Sequence, residues 1–196
     1  TTAKLCIIES GTASKAKNFE VDRMHRFKSG SGIPVIIPVY DLLEIGAGGG
    51  SIAKLNDLNL FQVGPESSGS KPGPVCYGNG GDKPTVTDAD LILGYLNPDY
   101  FLGGEIKLDA ISAEKEIETT FSKKTNLTPI KAAAGIHEIV NENMASAARV
   151  YIGEKGKSSS NLSLIAFGGA GPVHAIGLAE KLGITEIIIP PLCGVM

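Results

Sequence analysis

A basic surplus, long apolar runs and paired cysteines are all missing from this chain, and each absence removes a class of function. Lysine and arginine number 18 against 21 acidic residues, a net charge of -3. No basic stretch is interleaved with aromatics, so no nucleic-acid partner is expected. No apolar run approaches the roughly 20 residues a helix needs to span a bilayer, and no membrane partner is expected. The opening residues do not read as a signal peptide. Cys6, Cys76 and Cys193 are odd in number and far apart. They fit neither a disulfide framework nor a zinc pattern, and a reducing cytoplasm is the expected location. His25, His137 and His174 are equally scattered, with no H-x-x-x-H pair, so no metal site is expected.

Two nucleotide fingerprints are missing as well. A G-x-G-x-x-G run starting at Gly46 meets Ser51 where the last glycine belongs, and one starting at Gly169 meets His174. The Rossmann pattern therefore fails twice. Gly156-Lys157-Ser158 ends like a P-loop, but Tyr151 stands at the opening glycine and a helical pattern precedes it.

What is present is organised around Leu42 to Ala53, L-L-E-I-G-A-G-G-G-S-I-A. A strand-like apolar run, Val35 to Ile45, feeds into Gly46, Gly48, Gly49, Gly50 and Ser51. Glycine permits positive φ and lets backbone N–H groups approach a ligand. Successive N–H groups in such a turn form a concave anion site, so phosphate is the first ligand to consider; a tight structural turn is the alternative. The 196 residues, 42% of them hydrophobic, are enough for one large or two small domains with a sizeable core.

Along the chain, Lys4 to Glu9 reads as a buried strand and Phe19 to Phe27 as its return. Pro34 and Pro38 give the run I-P-V-I-I-P-V-Y edge or bulge character. Lys54 to Val63 reads as a hairpin around Asn56-Asp57. Gly64 to Asp88 is too rich in glycine and proline for regular structure. Such a long loop is normally functional or disordered, and Val75, Cys76, Tyr77, Val86 and Leu91 argue for an ordered loop pinned to a core. Helices are expected over Asp88 to Leu96, with Asp88 near the N-cap, and over Ser112 to Lys123. A third runs from Thr128-Pro129 to about Tyr151, with Thr as cap and Pro at the first helical position. Its stripe of Ile130, Ala134, Ile136 (or His137), Ile139, Val140, Met144, Ala147, Ala148 and Tyr151 reads as core.

A βαβ unit closes the chain: strand Ser163 to Phe167, turn Gly168 to Pro172, helix Val173 to Leu182 with Gly183 as C-cap, and strand Thr185 to Pro190. Such a crossover implies parallel pairing. Gly168, Gly169 and Gly171 sit beyond a strand's carboxyl end and at a helix N-terminus, where an anion is favoured. Any tight turn there needs small residues too.

Taken together, these strings resemble the hydantoinase/oxoprolinase family, of the hydantoinase A and acetone carboxylase β-subunit type. The strings that carry the resemblance are E-I-G-A-G-G-G-S-I-A (Glu44 to Ala53), V-G-P-E-S-S-G-S-K-P-G-P-V-C-Y-G-N-G-G (Val63 to Gly81), P-T-V-T-D-A-D (Pro84 to Asp90), F-L-G-G (Phe101 to Gly104) and A-F-G-G-A-G-P-V-H-A (Ala166 to Ala175). The resemblance implies an α/β, actin-like ATPase (ribonuclease H-like) lobe: a mixed sheet with flanking helices plus a long ordered Gly/Pro-rich loop. Residues 1–196 then read as part of one hydantoinase A-type catalytic domain, its second ATPase lobe, truncated at both ends. Gly168, Gly169, Gly171 and Pro172 match the family's adenosine turn. Thr1, Thr2, Ala3 and Lys4 match the tail of its second phosphate loop. Cys193 stands where relatives usually carry proline.

The activity implied is ATP-dependent opening of a cyclic amide or imide (N-methylhydantoin or 5-oxoproline type) through a phosphorylated carbonyl oxygen. An acetone- or acetophenone-type ketone carboxylase and a non-catalytic module of the same fold are the alternatives. ATP and Mg2+ are the implied cofactors. The implied partners are a small cyclic amide or ketone substrate and a second subunit of hydantoinase B type. Phosphoryl transfer needs positioning and charge neutralisation. Asp41, Glu44, Asp88 and Asp90 are carboxylates that could hold Mg2+ through water. Asp88, which borders the Gly/Pro loop, leads Asp41 and Glu44 as catalytic candidate.

Overall fold

The computed structural model describes residues 2–17, 19–22, 24 and 30–194. Eight short strands come first: β1 (Ala3–Leu5), β2 (Ile8–Glu9), β3 (Thr12–Ala13), β4 (Lys15–Ala16), β5 (Phe19–Val21), β6 (Ile33–Val35), β7 (Val39–Tyr40) and β8 (Leu43–Ile45). They pair antiparallel as β1 with β8, β2 with β3, β4 with β7 and β5 with β6. The registers are nested, with Ala3 opposite Ile45, Lys15 opposite Tyr40 and Phe19 opposite Val35. Residues 3–45 thus run out and back as one interrupted antiparallel ribbon. The strand expected from Lys4 to Glu9 is split in two, and of it only Ile7 is buried. Pro34 and Pro38 cannot donate to a ladder, which keeps the apolar run of 33–45 in pieces. The return expected to reach Phe27 extends over Phe19–Val21; residues 25–29, His25 among them, lie outside the described residues.

β9 (Ser51–Leu55) and β10 (Phe61–Ser67) form the expected hairpin. Asn56 shapes its turn, its side-chain oxygen accepting from Leu58 N at 3.0 Å and Leu60 N at 2.9 Å. β10 contains Gly64 and Pro65, so the Gly/Pro-rich segment begins inside a strand.

The helices follow. α1 (Val86–Ile92) starts two residues earlier than expected, because Thr85 is the N-cap and Asp88 occupies the third helical position. Each bonds back to the other's backbone N–H, a capping box. α2 (Ala110–Ile117) also starts early, capped by Asp109, whose carboxylate accepts from Ser112 N at 3.0 Å and Ser112 Oγ at 2.6 Å. It passes through a π-helical stretch (Glu118–Ser122) into α3 (Lys123–Thr125), which Asn126 ends at φ 57°. α4 (Pro129–Glu154) has the expected Thr128 cap and leading proline. Its buried face carries Ile136, Val140, Met144, Ala147, Ala148 and Tyr151, while Ile130 and Ala134 face solvent.

The main core lies where α4 meets α1, α5 and the β9–β10 hairpin. Phe121 is fully buried there and stacks on Phe61 with ring centroids 4.6 Å apart. Alanines 132, 133, 145, 147 and 148 let neighbouring backbones approach α4 closely. The last unit is β11 (Leu164–Ile165), α5 (Gly171–Leu182) and β12 (Ile187–Ile188), with β11 and β12 parallel and Gly183 at φ 67° as C-cap. The chain is therefore α/β. Its strands, however, pair as six two-stranded ladders among the described residues, not as one mixed sheet. Most are only two or three residues long.

Candidate functional site

The glycine loop joins β8 to β9. None of Gly46, Gly48, Gly49 and Gly50 has a positive φ, so conformational freedom is not why glycine stands there. Close approach is. A Cβ built on Gly49 would lie 2.7 Å from Thr87 Oγ1 and 3.9 Å from Ala170 Cβ. The loop's carbonyls hold it in place. Thr87 N donates to Gly49 O at 2.7 Å, Ser68 N to Gly50 O at 2.9 Å, Ser51 N to Gly48 O at 2.9 Å and Ala3 N to Ala47 O at 2.8 Å. Ser51 is buried, and its Oγ accepts from Gly48 N at 3.0 Å. The N–H groups of Gly49 and Gly50 meet no protein acceptor among the described residues.

The second turn follows β11. Gly168 takes φ 89°, where glycine is favoured, and donates its N–H to Cys193 O at 2.7 Å. Ala170 caps α5 with no side-chain bond to the helix, and Gly171 and Pro172 begin it. Gly49 approaches Ala170, so the structure brings the loop 46–51 near the turn 168–172, with Thr87 of α1 against Gly49. Thr2 lies beside them through Ala3; its exposed side chain accepts from Lys4 Nζ at 3.1 Å. Thr1 lies outside the described residues.

The candidate carboxylates do not gather at this point. Glu44 is exposed on β8 and pairs with Lys4 at 3.6 Å. Asp41 pairs with Lys155, and its backbone carbonyl accepts from Tyr151 Oη at 2.8 Å. Asp88 is fully buried. Its Oδ1 accepts from Cys76 N at 2.7 Å; its Oδ2 accepts from Thr85 N and Thr85 Oγ1, both at 2.8 Å, and from Val75 N at 3.2 Å. One carboxylate thus ties the Gly/Pro-rich segment to the start of α1. The neighbouring Cys76 thiol is pushed well above its usual range, first by burial and then by the Asp88 charge, which makes it a poor nucleophile.

A cluster not read from the sequence begins two residues further along α1. Asp90 is buried, and its Oδ1 lies 2.7 Å from His137 Nδ1 on α4. Its Oδ2 lies 3.6 Å from His174 Nε2 on α5. His174 Nδ1 lies 2.9 Å from the Oδ1 of buried Asn141, and the two imidazoles stack with centroids 4.9 Å apart. His174 Nε2 is buried and makes no hydrogen bond. Burial draws the His174 imidazole towards its neutral form, against the pull of Asp90. Histidines isolated along the chain are thus adjacent in space. The one available signal was His137, which sat at an ambiguous position of the α4 stripe; no spacing rule links residues 90, 137 and 174.

A model of the hydantoinase/oxoprolinase family matches residues 1–196. The acetophenone carboxylase gamma subunit of Aromatoleum aromaticum is 47% identical over 145 residues, covering 74% of this chain and 20% of that protein. The caprolactamase subunit alpha of Pseudomonas jessenii is 44% identical over 154 residues, 79% of this chain and 22% of that one. Among solved structures, nucleotide-free acetone carboxylase matches with a TM-score of 0.84 and 30% identity over 98% of this chain and 26% of that chain. The chain spans less than a third of the length of the curated relatives it matches.

Proposed function

Because this chain belongs to the hydantoinase/oxoprolinase family, we propose that it is part of an ATP-dependent hydrolase that opens a cyclic amide or imide ring of N-methylhydantoin or 5-oxoproline type. It acts within a longer cytoplasmic protein, as part of the second lobe of an actin-like ATPase domain, and with a second subunit of hydantoinase B type. The observation that carries the reading is the meeting of the loop 46–51 with the turn 168–172 at Gly49.

These residues fit a nucleotide. A Cβ at Gly49 would meet Thr87 Oγ1 at 2.7 Å, so glycine is what lets this loop lie against the start of α1 and near the start of α5. The N–H groups of Gly49 and Gly50 suit phosphate oxygens, and the start of α5 adds the partial positive charge of a helix N-terminus. Gly168, Gly169, Gly171 and Pro172 would hold the adenosine, and Thr1 and Thr2 would flank the phosphates. ATP, when bound, supplies the phosphoryl group that makes an amide oxygen a leaving group. The chain's own contribution is positioning and charge stabilisation by backbone donors that need no reorganisation. Mg2+ is a different matter. Asp88 is saturated by four donors, and Asp41 and Glu44 face lysines. These carboxylates do not fit a magnesium site, and no step is assigned to one.

A second reading, the ATP-binding subunit of an acetone- or acetophenone-type ketone carboxylase, is favoured by the 47% identity to a carboxylase subunit. Phosphate release by the full-length protein with its co-purifying subunits separates the two. Release from Mg-ATP stimulated by hydantoins or 5-oxoproline supports the hydrolase; release stimulated by acetone or acetophenone plus bicarbonate supports the carboxylase. Gly49→Val should abolish turnover, because a side chain there meets Thr87 Oγ1 at 2.7 Å and pushes the loop off α1; circular dichroism checks that the variant is folded. Wild-type turnover in that variant would sink the nucleotide reading.

A further inference from the structure

We propose that Asp90, His137 and His174 form a binding site for a transition-metal dication of the zinc class. The donor atoms of the three side chains all lie within 4.8 Å of one another. They offer two imidazole nitrogens and one carboxylate, the mixed N/O set that zinc and its first-row neighbours favour over magnesium or calcium.

The decisive feature is the contact between His174 and Asp90. His174 Nδ1 faces the carbonyl oxygen of Asn141 at 2.9 Å. A carbonyl oxygen accepts, so Nδ1 is the ring nitrogen that carries the proton. Nε2 therefore presents its lone pair, and what it faces is an Asp90 oxygen 3.6 Å away. Two acceptors oppose each other in a buried place, and Nε2 has no hydrogen-bond partner. A buried polar atom without a partner is rare and calls for a reason. A cation between the two acceptors supplies one. In a tetrahedral zinc site, with bonds of about 2.0 to 2.1 Å, neighbouring ligand atoms stand roughly 3.3 Å apart, close to the separation seen. His137 Nδ1, at 2.7 Å from the other Asp90 oxygen, is the third donor, all three lying within 4.8 Å of one another.

The surroundings match a metal site too. Metal-bound histidines usually donate their second N–H to a carbonyl or carboxylate, which is the role Asn141 has for His174. Asn141 is buried and packs close against α5, where a Cβ on Gly177 would lie 2.6 Å from its Nδ2. The His137 side chain is 13% exposed and gives an ion a way in. Three protein ligands leave a further position for water, as in catalytic rather than structural zinc sites.

The test uses the full-length protein stripped of metal, with Co2+ alone as the probe. One equivalent of Co2+ per chain should bind and give visible d–d absorption that excess EDTA removes and Mg2+ does not. His137→Gln and His174→Gln should each weaken this binding at least tenfold or abolish the band. Asn141→Ala should weaken it by about 10- to 100-fold, as removal of an outer-shell partner does. Circular dichroism checks that each variant is folded, and if His174→Gln is not, His137→Gln at the partly open face decides. No Co2+ band in the wild type, or the same band and affinity in a folded His137→Gln, overturns the proposal. Neither outcome depends on whether ATP binds.

Discussion

Asp88 offers the sharpest test of how this chain holds its Gly/Pro-rich segment. The perturbation is Asp88→Asn, which keeps the shape and removes the charge. Asparagine retains one acceptor oxygen and places an NH2 where the other stood. If the oxygen keeps Thr85 and Val75, the buried Cys76 N–H faces another donor and is stranded, which costs roughly 1 to 3 kcal/mol. The remaining bonds change from a charged to a neutral acceptor and weaken, since charge-assisted bonds are roughly twice as strong. A total of about 3 kcal/mol follows, a factor on the order of 100 in the local opening equilibrium. Hydrogen exchange followed by mass spectrometry reads that opening directly at the amides of Val75 and Cys76. Exchange there should accelerate on the order of 100-fold, with the far end of α4 unchanged. Equal protection in wild type and variant would refute the clamp. Lost ATP turnover with equal protection would make Asp88 a chemical group instead.

Two further outcomes follow from burial. Phe121→Ala removes a fully buried ring stacked on Phe61 and should destabilise the domain by about 3 to 5 kcal/mol, read as a lowered urea midpoint; a loss under about 1 kcal/mol would mean that α4 can close the cavity. Burial pushes the Tyr151 phenol up to about 12 from its usual 10, with the nearby Asp41 carboxylate adding to the shift. Because the folded chain holds that proton more tightly, this contribution is complete below pH 10 and is lost as pH rises towards 12. Alkaline titration of tyrosinate absorbance, wild type against Tyr151→Phe, should show one late-ionising group missing from the variant.

Local chemistry made much of the fold legible, and long-range contacts hid the rest. The Thr128-Pro129 start, the Asn56 hairpin and the Gly183 stop are written in a few adjacent residues, and each appears as read. The start of α1 was misplaced because Asp88 looked like a cap. It sits three residues inside, with Thr85 holding the capping position. The glycines of 46–50 were legible as a special loop but not for their reason. At Gly49 the reason is a contact with Thr87 and Ala170, some 40 and 120 residues away. The Asp90, His137 and His174 cluster was invisible for the same cause, being assembled by three helices that only tertiary packing brings together.

The contact at Gly49 ties two places that look separate. Thr87 and Asp90 are three residues apart on α1, and Ala170 and His174 are four apart at the start of α5. Each pair therefore shares one helix face, one turn or about 5 Å along the axis. The glycine loop rests against the upper residue of each pair, and the carboxylate and imidazole face each other at the lower. The two features thus lie one turn apart on the same two helices. Asp90 and His174 bring α1 and α5 within 3.6 Å of each other one turn from the residues that meet the glycine loop, and a change at either place acts on the same two helices.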